Sequence, residues 1–301
     1  MAMSESETAN VQNKGKSTVK KRKKIRFGAV VRYTILLIVA LIMLYPIIWM
    51  IGASFKTNAE IFSSIGFWPS SFDLEPYIKG WETGTEFTFA TYFLNTFKIG
   101  IPKVVFTLIS TIFVAYGFAR FDFPFKKILF AALISTLFLP GVVKTIPMYL
   151  FWRNLGLLDT YVPLIASTLF AQSAFNVFML VQFMRGIPKD YDEAATMDGC
   201  NSFQLLFRVL LPIVKPALIT IGLLEFMGSM NDFMGPLIYI SSVEKFPVAV
   251  ALKMAMDTTG GSFQWNQIIA MSVIALIPSI VLFFSASKQF IDGMSAGGLK
   301  G

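Results

Sequence analysis

Long apolar stretches alternate with short polar ones along this chain, and their lengths decide what kind of protein it is. A helix rising 1.5 Å per residue needs roughly 20 residues to cross a hydrocarbon core about 30 Å thick. Six uncharged runs approach or exceed that length: residues 33–55, 104–119, 128–143, 160–184, 216–224 with a continuation past Glu225, and 258–287. The second and third are short, so their helices are expected to take in Lys98, Lys103 or Lys144, with the ammonium groups reaching back to the interface. The pattern predicts an all-α integral membrane protein with six transmembrane helices.

Composition agrees with this reading: 55% of the 301 residues are hydrophobic, 15% are charged, and the mean hydropathy is +0.64. The single cysteine, Cys200, rules out an intramolecular disulfide, and the absence of histidine removes the commonest neutral-pH acid/base and metal ligand. The net charge of +8 is concentrated at the N-terminus, where Lys14, Lys16, Lys20, Lys21, Arg22, Lys23, Lys24 and Arg26 face only Glu5 and Glu7. Such a polar, basic stretch cannot bury enough surface to order itself, so residues 1–26 are expected to be a disordered cytoplasmic tail. Beside the first apolar run it would hold the N-terminus inside and attract anionic headgroups, rather than bind nucleic acid. Gly15-Lys16-Ser17 matches the end of a phosphate-binding loop, but Asn10 stands where the first glycine is required and no strand precedes it.

The expected order is a first transmembrane helix over 27–55, an external loop over 56–92, five further helices over 93–290, and a cytoplasmic tail over 291–301. With six spans both termini are cytoplasmic, and eighteen basic residues then fall inside against eight outside. The cytoplasmic segment 186–212, between spans four and five, is the most informative. Asp190 with Glu193 has the form of a capping box, Gly199 suits a left-handed C-cap, and Ser202 is placed to cap a second short helix. Ala194 and Ala195 give the first helix a smooth face that another protein could approach closely.

Within that segment Glu193-Ala194-Ala195, then Gly199, then Val209 and Leu211-Pro212 resemble the EAA-x3-G-x9-I-x-L-P motif of permease subunits of binding-protein-dependent ABC importers, with Val209 in place of the usual Ile. The likeness runs from about Tyr45 to the C-terminus and narrows to the carbohydrate-uptake, MalG-like branch. It is carried by Ser54-Phe55-Lys56, Asn95-Thr96, the stretch ending Ala119-Arg120-Phe121, Asp159-Thr160-Tyr161, Asn231-Asp232-Phe233 and Phe246-Pro247-Val248. The resemblance implies a type I importer permease fold in a bacterial plasma membrane. It also implies a second permease subunit, forming a heterodimer, and an extracytoplasmic substrate-binding protein. The ATPase dimer, not this chain, would bind ATP and Mg. In that family the EAA helix docks on the ATPase, so Glu193, Ala194, Ala195, Gly199, Leu211 and Pro212 are the implied coupling residues. The chain itself would catalyse nothing.

Ionisable groups inside a membrane are candidates for function. Glu225 shares a helical face with Gly228, Ser229 and Asp232, next to Asn231, and Gln172 and Asn176 are four apart on span four. These residues are expected either to line a sugar route or to hydrogen-bond between helices. Relatives often carry Trp where this chain has Met230, which removes an aromatic platform at that point. The loop before the last span, with Gly260, Gly261 and Trp265, is expected to meet the binding protein. A secondary transporter coupled to an ion gradient through Glu225 is the competing class.

Overall fold

The computed structural model describes residues 27–64, 66–82, 86–257 and 264–298, and every regular element among them is helical. Residues 1–26 and Gly260-Gly261 lie outside the described residues. The chain divides into two units, residues 1–47 and 48–301. Helix α1 (Phe27–Ala53) begins in the first. Its large side chains, Tyr33, Leu37 and Met43 among them, are exposed, as suits a helix apolar all round whose surroundings are lipid or other membrane helices.

The second unit holds α2 (Asn58–Ser63), α3 (Glu75–Glu82), α4 (Phe89–Arg120), α5 (Lys126–Ser135), α6 (Gly141–Asn154), α7 (Val162–Ile165), α8 (Ala174–Arg185), α9 (Asp190–Met197), α10 (Ser202–Gln204), α11 (Leu211–Met230), α12 (Met234–Tyr239), α13 (Val248–Asp257) and α14 (Trp265–Gly298). Five helical stretches are long and apolar enough to cross a membrane, and the bent pair α5–α6 makes a sixth if counted as one span.

At 32 residues, about 48 Å, α4 is the axis of this unit, packing against α8 and α11. One apolar cluster surrounds its Arg120 end, built from Ala115, Tyr116, Leu180, Met184, Leu206 and Leu210. Another surrounds its Phe89 end, built from Tyr92, Ile99, Leu164, Ile240, Phe246 and Val248. As expected, α4 includes Lys98 and Lys103, but Lys103 pairs with Asp232 at 3.3 Å instead of reaching out to an interface.

Three spans depart from the sequence expectation. The run 128–143 is not one helix: the chain turns by 102° between Phe138 and Gly141. Pro140 drives the preceding Leu139 out of helical space, to ψ 116°, and has no N–H with which to continue. The fourth span is also broken. A 3-10 turn over Ala166–Phe170 ends at Ala171, whose φ is 51°, and α8 starts only after Ser173, whose hydroxyl accepts from the Asn176 N–H. Gln172 therefore sits in the break and cannot share a helical stripe with Asn176. Ser110 of α4 donates to the Thr168 carbonyl at 2.7 Å, so a neighbouring helix satisfies backbone that the break leaves without its helical partner.

The fifth span begins earlier than its uncharged run and is helical from Ser202 to Met230. It passes through a π-turn over Leu205–Leu210 just before Pro212. Pro212 can make no i→i−4 bond and would crowd the carbonyl of Arg208, and the wider π-turn accommodates it. Helix α14 likewise continues to Gly298, past the expected end of the core at 290.

Candidate functional site

The segment 186–212 is a helical elbow at the Arg120 end of α4. Helix α9 opens without the expected Asp190–Glu193 capping box. Lys189, at φ −68° and ψ −18°, is already helical, so Asp190 falls inside the first turn. The Pro188 carbonyl accepts from the Tyr191 N–H, and the N–H groups of Asp192 and Glu193 both donate to the Lys189 carbonyl. Asp190, Asp192 and Glu193 then place negative charge where the helix dipole favours it.

The end of α9 follows expectation. Gly199 adopts φ +80°, its N–H donates to Thr196, and the Cys200 N–H donates to Ala195, which together make a Schellman cap. The second helix is capped by Asn201, not Ser202. The Asn201 side chain accepts from the Gln204 N–H at 2.9 Å, and Gln204 returns the bond to the Asn201 N–H. That capping box was readable as Asn-x-x-Gln. Glu193, Ala194 and Pro212 are exposed and Leu211 is half-buried, whereas Ala195 is buried against the bundle. Ala194 is thus the open part of the smooth face.

The end of α4 holds this elbow through Tyr116 and Arg120, and Arg185, at the end of α8, adds a contact beside it. Tyr116 Oη donates to the Ser202 carbonyl at 3.0 Å, and Arg185 Nη2 donates to the Phe118 carbonyl at 3.3 Å. Arg120 Nη2 donates to the Ile187 carbonyl at 3.1 Å, and Arg120 Nε lies 2.9 Å from Asp192 Oδ2. The Arg120–Asp192 pair is the contact that sequence reasoning missed. Arg120 was legible as a charge beside an apolar run and as part of a stretch shared with the resembling family, but not as the partner of Asp192.

A second polar group lies between α4 and α11. Lys103 meets Asp232 Oδ2, while Asp232 Oδ1 accepts from the Gly235 N–H at 3.0 Å and so also fastens the first turn of α12. Glu225 is half-buried within electrostatic reach of both Lys103 and Asp232. Ser229 is buried opposite Gly100, where an added Cβ would come 3.3 Å from its hydroxyl, so small residues let the two helices approach closely. Asn231 is exposed, and its amide turns back to the Met227 carbonyl. Asn176 is buried in α8 and Gln172 is exposed.

The Phe89 end is tied by residues that had stood out in the sequence. Asn95 donates to the carbonyls of Glu244 and Phe246, and Thr96 accepts from the Val248 N–H, so Asn95-Thr96 clips Phe246-Pro247-Val248. Trp265 opens α14 edge-on to Phe62, with ring centroids 6.3 Å apart. Asn58 joins the two regions, donating to Gln264 and accepting from the Asn266 N–H.

Asp159 accepts from the N–H groups of Ser241 and Ser242, from the Ser242 hydroxyl, and from Lys245 Nζ at 2.7 Å. Lys245 first, then Ser242, hold its carboxyl well below the usual carboxylate range. A carboxyl depressed by folding contributes stability that is fully present above its unfolded pKa of about 4 and is lost as pH falls toward the lower folded value. Asp159→Asn is therefore expected to lower the unfolding temperature at pH 7. The gap from the unsubstituted chain should narrow progressively below about pH 4, measured by thermal unfolding in detergent. A gap independent of pH would show that the charge of Asp159 contributes nothing.

Helices of this length and apolarity, with charged groups facing one another between them, define a multi-pass membrane protein. The chain belongs to the family of binding-protein-dependent transport system inner membrane components, which matches residues 23–294. It is 29% identical over 282 residues to the probable ABC transporter permease protein YurM of Bacillus subtilis, covering 94% of this chain and 92% of the relative. It is also 29% identical over 270 residues to the arabinooligosaccharides transport system permease protein AraQ of the same organism, covering 88% and 93%. A crystal structure of a bacterial ABC transporter involved in import of the acidic polysaccharide alginate superposes with a TM-score of 0.77 at 27% identity. The superposition covers 89% of this chain and 98% of that one.

Proposed function

We propose that this chain is the permease subunit of an ATP-driven importer that moves a sugar or oligosaccharide into a bacterial cytoplasm by alternating access. The observation that carries the reading is the capped elbow of α9 and α10, with Glu193 and Ala194 open on a chain of this family. A separate ATPase dimer binds ATP and Mg and receives that elbow through Glu193, Ala194, Ala195 and Gly199, with Leu211 and Pro212 leading into α11. A second, different permease subunit completes the pathway, and an extracytoplasmic binding protein delivers the sugar. The chain carries out no covalent chemistry. Both termini are cytoplasmic, on the side of the elbow. Glu225, Asn231, Asp232, Asn176 and Gln172 flank the route, and the segment with Gly260, Gly261 and Trp265 meets the binding protein. Oligosaccharide transport by the relative AraQ supports the substrate class. Family membership favours this reading over an ion-coupled transporter working through Glu225.

The test is ATP hydrolysis by the reconstituted complex with sugar-loaded binding protein. The unsubstituted chain is expected to respond, while Glu193→Ala assembles but loses about tenfold in stimulation, as for residues that carry coupling between sites. Equal stimulation of both chains would remove Glu193 from the coupling role. Transport that persists without ATP and follows a proton or sodium gradient would overturn the importer reading.

A further inference from the structure

We infer that Arg120 is a positioning residue that makes the elbow and α4 move as one body, through its ion pair with Asp192. The inference rests on the coupling role proposed above. Of the neighbouring contacts, that of Tyr116 engages the Ser202 backbone after α9, and that of Arg185 ties the end of α8 to the Phe118 carbonyl of α4, so neither holds α9 itself. Arg120 grips both Ile187, where the chain enters the elbow, and Asp192, inside α9 and next to Glu193. The two side chains are only 6% and 19% exposed, so water screens their attraction little. Asp192 Oδ1 and Arg120 Nε are both buried with no hydrogen-bond partner among the described residues, so charge attraction, not a bond between them, is what Arg120 offers this carboxylate.

The consequence is mechanical. A push on α9 reaches α4 through the buried Arg120–Asp192 pair and the Arg120–Ile187 hydrogen bond, and α4 carries it about 25 Å along its axis, at 1.5 Å per residue, to Lys103 and the Asp232–Glu225 group. Apolar packing of Ala195 alone would let α9 slide over the bundle, because dispersion contacts are not directional. The hydrogen bond from Arg120 Nη2 to the Ile187 carbonyl has a preferred geometry, and the little-screened attraction to Asp192 adds to it, so together they resist such sliding.

Spin labels on Asp122→Cys and Asp198→Cys, in a Cys200→Ser chain, report the α4–α9 distance in the assembled complex. Both label positions are exposed. With Arg120 intact, one distance is expected that does not change when ATP binds, because the two elements move together. Arg120→Ala should give a distance that shifts or broadens with ATP, together with about a tenfold loss of stimulated ATP hydrolysis. The exchanged pair Arg120→Asp with Asp192→Arg should recover both.

A distance that changes with ATP while Arg120 is present overturns the inference, and that measurement needs no substitution at position 120. So does an Arg120→Ala chain that keeps both the fixed distance and the stimulation. If the unsubstituted chain assembles with no ATPase, the functional reading falls and takes the inference with it. The first two results, by contrast, leave the functional reading standing.

Discussion

Gly52→Ala is expected to prevent the chain from folding stably, although it adds one methyl group. A Cβ at position 52 would lie 1.9 Å from the Phe67 carbonyl oxygen and 3.1 Å from its carbon. Both atoms are backbone, so no rotamer change relieves the clash. The 66–67 segment is also pinned, because Lys56 is buried and donates to the Gly66 carbonyl at 2.5 Å. Nearby, Ser54 bonds Tyr77 at 2.7 Å and Phe55 packs on Phe72 and Tyr77. Relief requires either breaking the Lys56 bond in a buried place or bending the end of α1. We expect a loss of about 3 kcal/mol, the upper end for overpacking, read as the unfolding midpoint of the detergent-solubilised protein. Gly28→Ala is the control, since its Cβ would meet nothing within 4 Å. Equal midpoints for the two variants would mean that the 66–67 segment yields freely.

Asp232→Asn should cost a similar amount for a different reason. Asparagine keeps an oxygen for the Gly235 N–H but removes the charge facing Lys103, whose side chain is 13% exposed. Leaving one partner of a buried pair uncompensated costs about 3–5 kcal/mol, whereas replacing both is often neutral. The double change Lys103→Met with Asp232→Asn is therefore expected to recover most of the loss. Glu225 adds a second term. Because it lies within electrostatic reach of Lys103, Glu225→Gln should be more harmful in the Asp232→Asn chain than alone. Additive effects across this cycle would show that Lys103 answers to Asp232 only.

How much of this was legible in the sequence depended on the range of the interaction. Local signals read well. Length and apolarity marked the membrane-crossing helices, and Gly199 marked the left-handed cap because glycine enters that region without strain. The breaks were harder to read. Pro140 was visible as a helix breaker, but an uninterrupted apolar run outweighed it, and nothing local announces the positive φ of Ala171. Burial on both sides of the break and Ser110 on another helix maintain it. The stripe of Glu225, Ser229 and Asp232 was found by helical spacing, but its partner, Lys103, lies more than 120 positions away, and spacing carries no information at that range. The same holds for Arg120 and Asp192.

The π-turn over Leu205–Leu210 gives the fifth span a length constraint that its composition does not reveal. A π-turn holds one more residue than an α-helical path of the same rise, because its i→i+5 bonds widen the turn. Removing a single residue there would restore ordinary helix with both ends still in register, but would return the carbonyl four residues before Pro212 to the proline ring that the wider turn now clears. The spacing between Gly199 and Leu211-Pro212 thus contains one residue that serves the proline and not the length of the span. A substitution within it is tolerable in a way that a deletion is not.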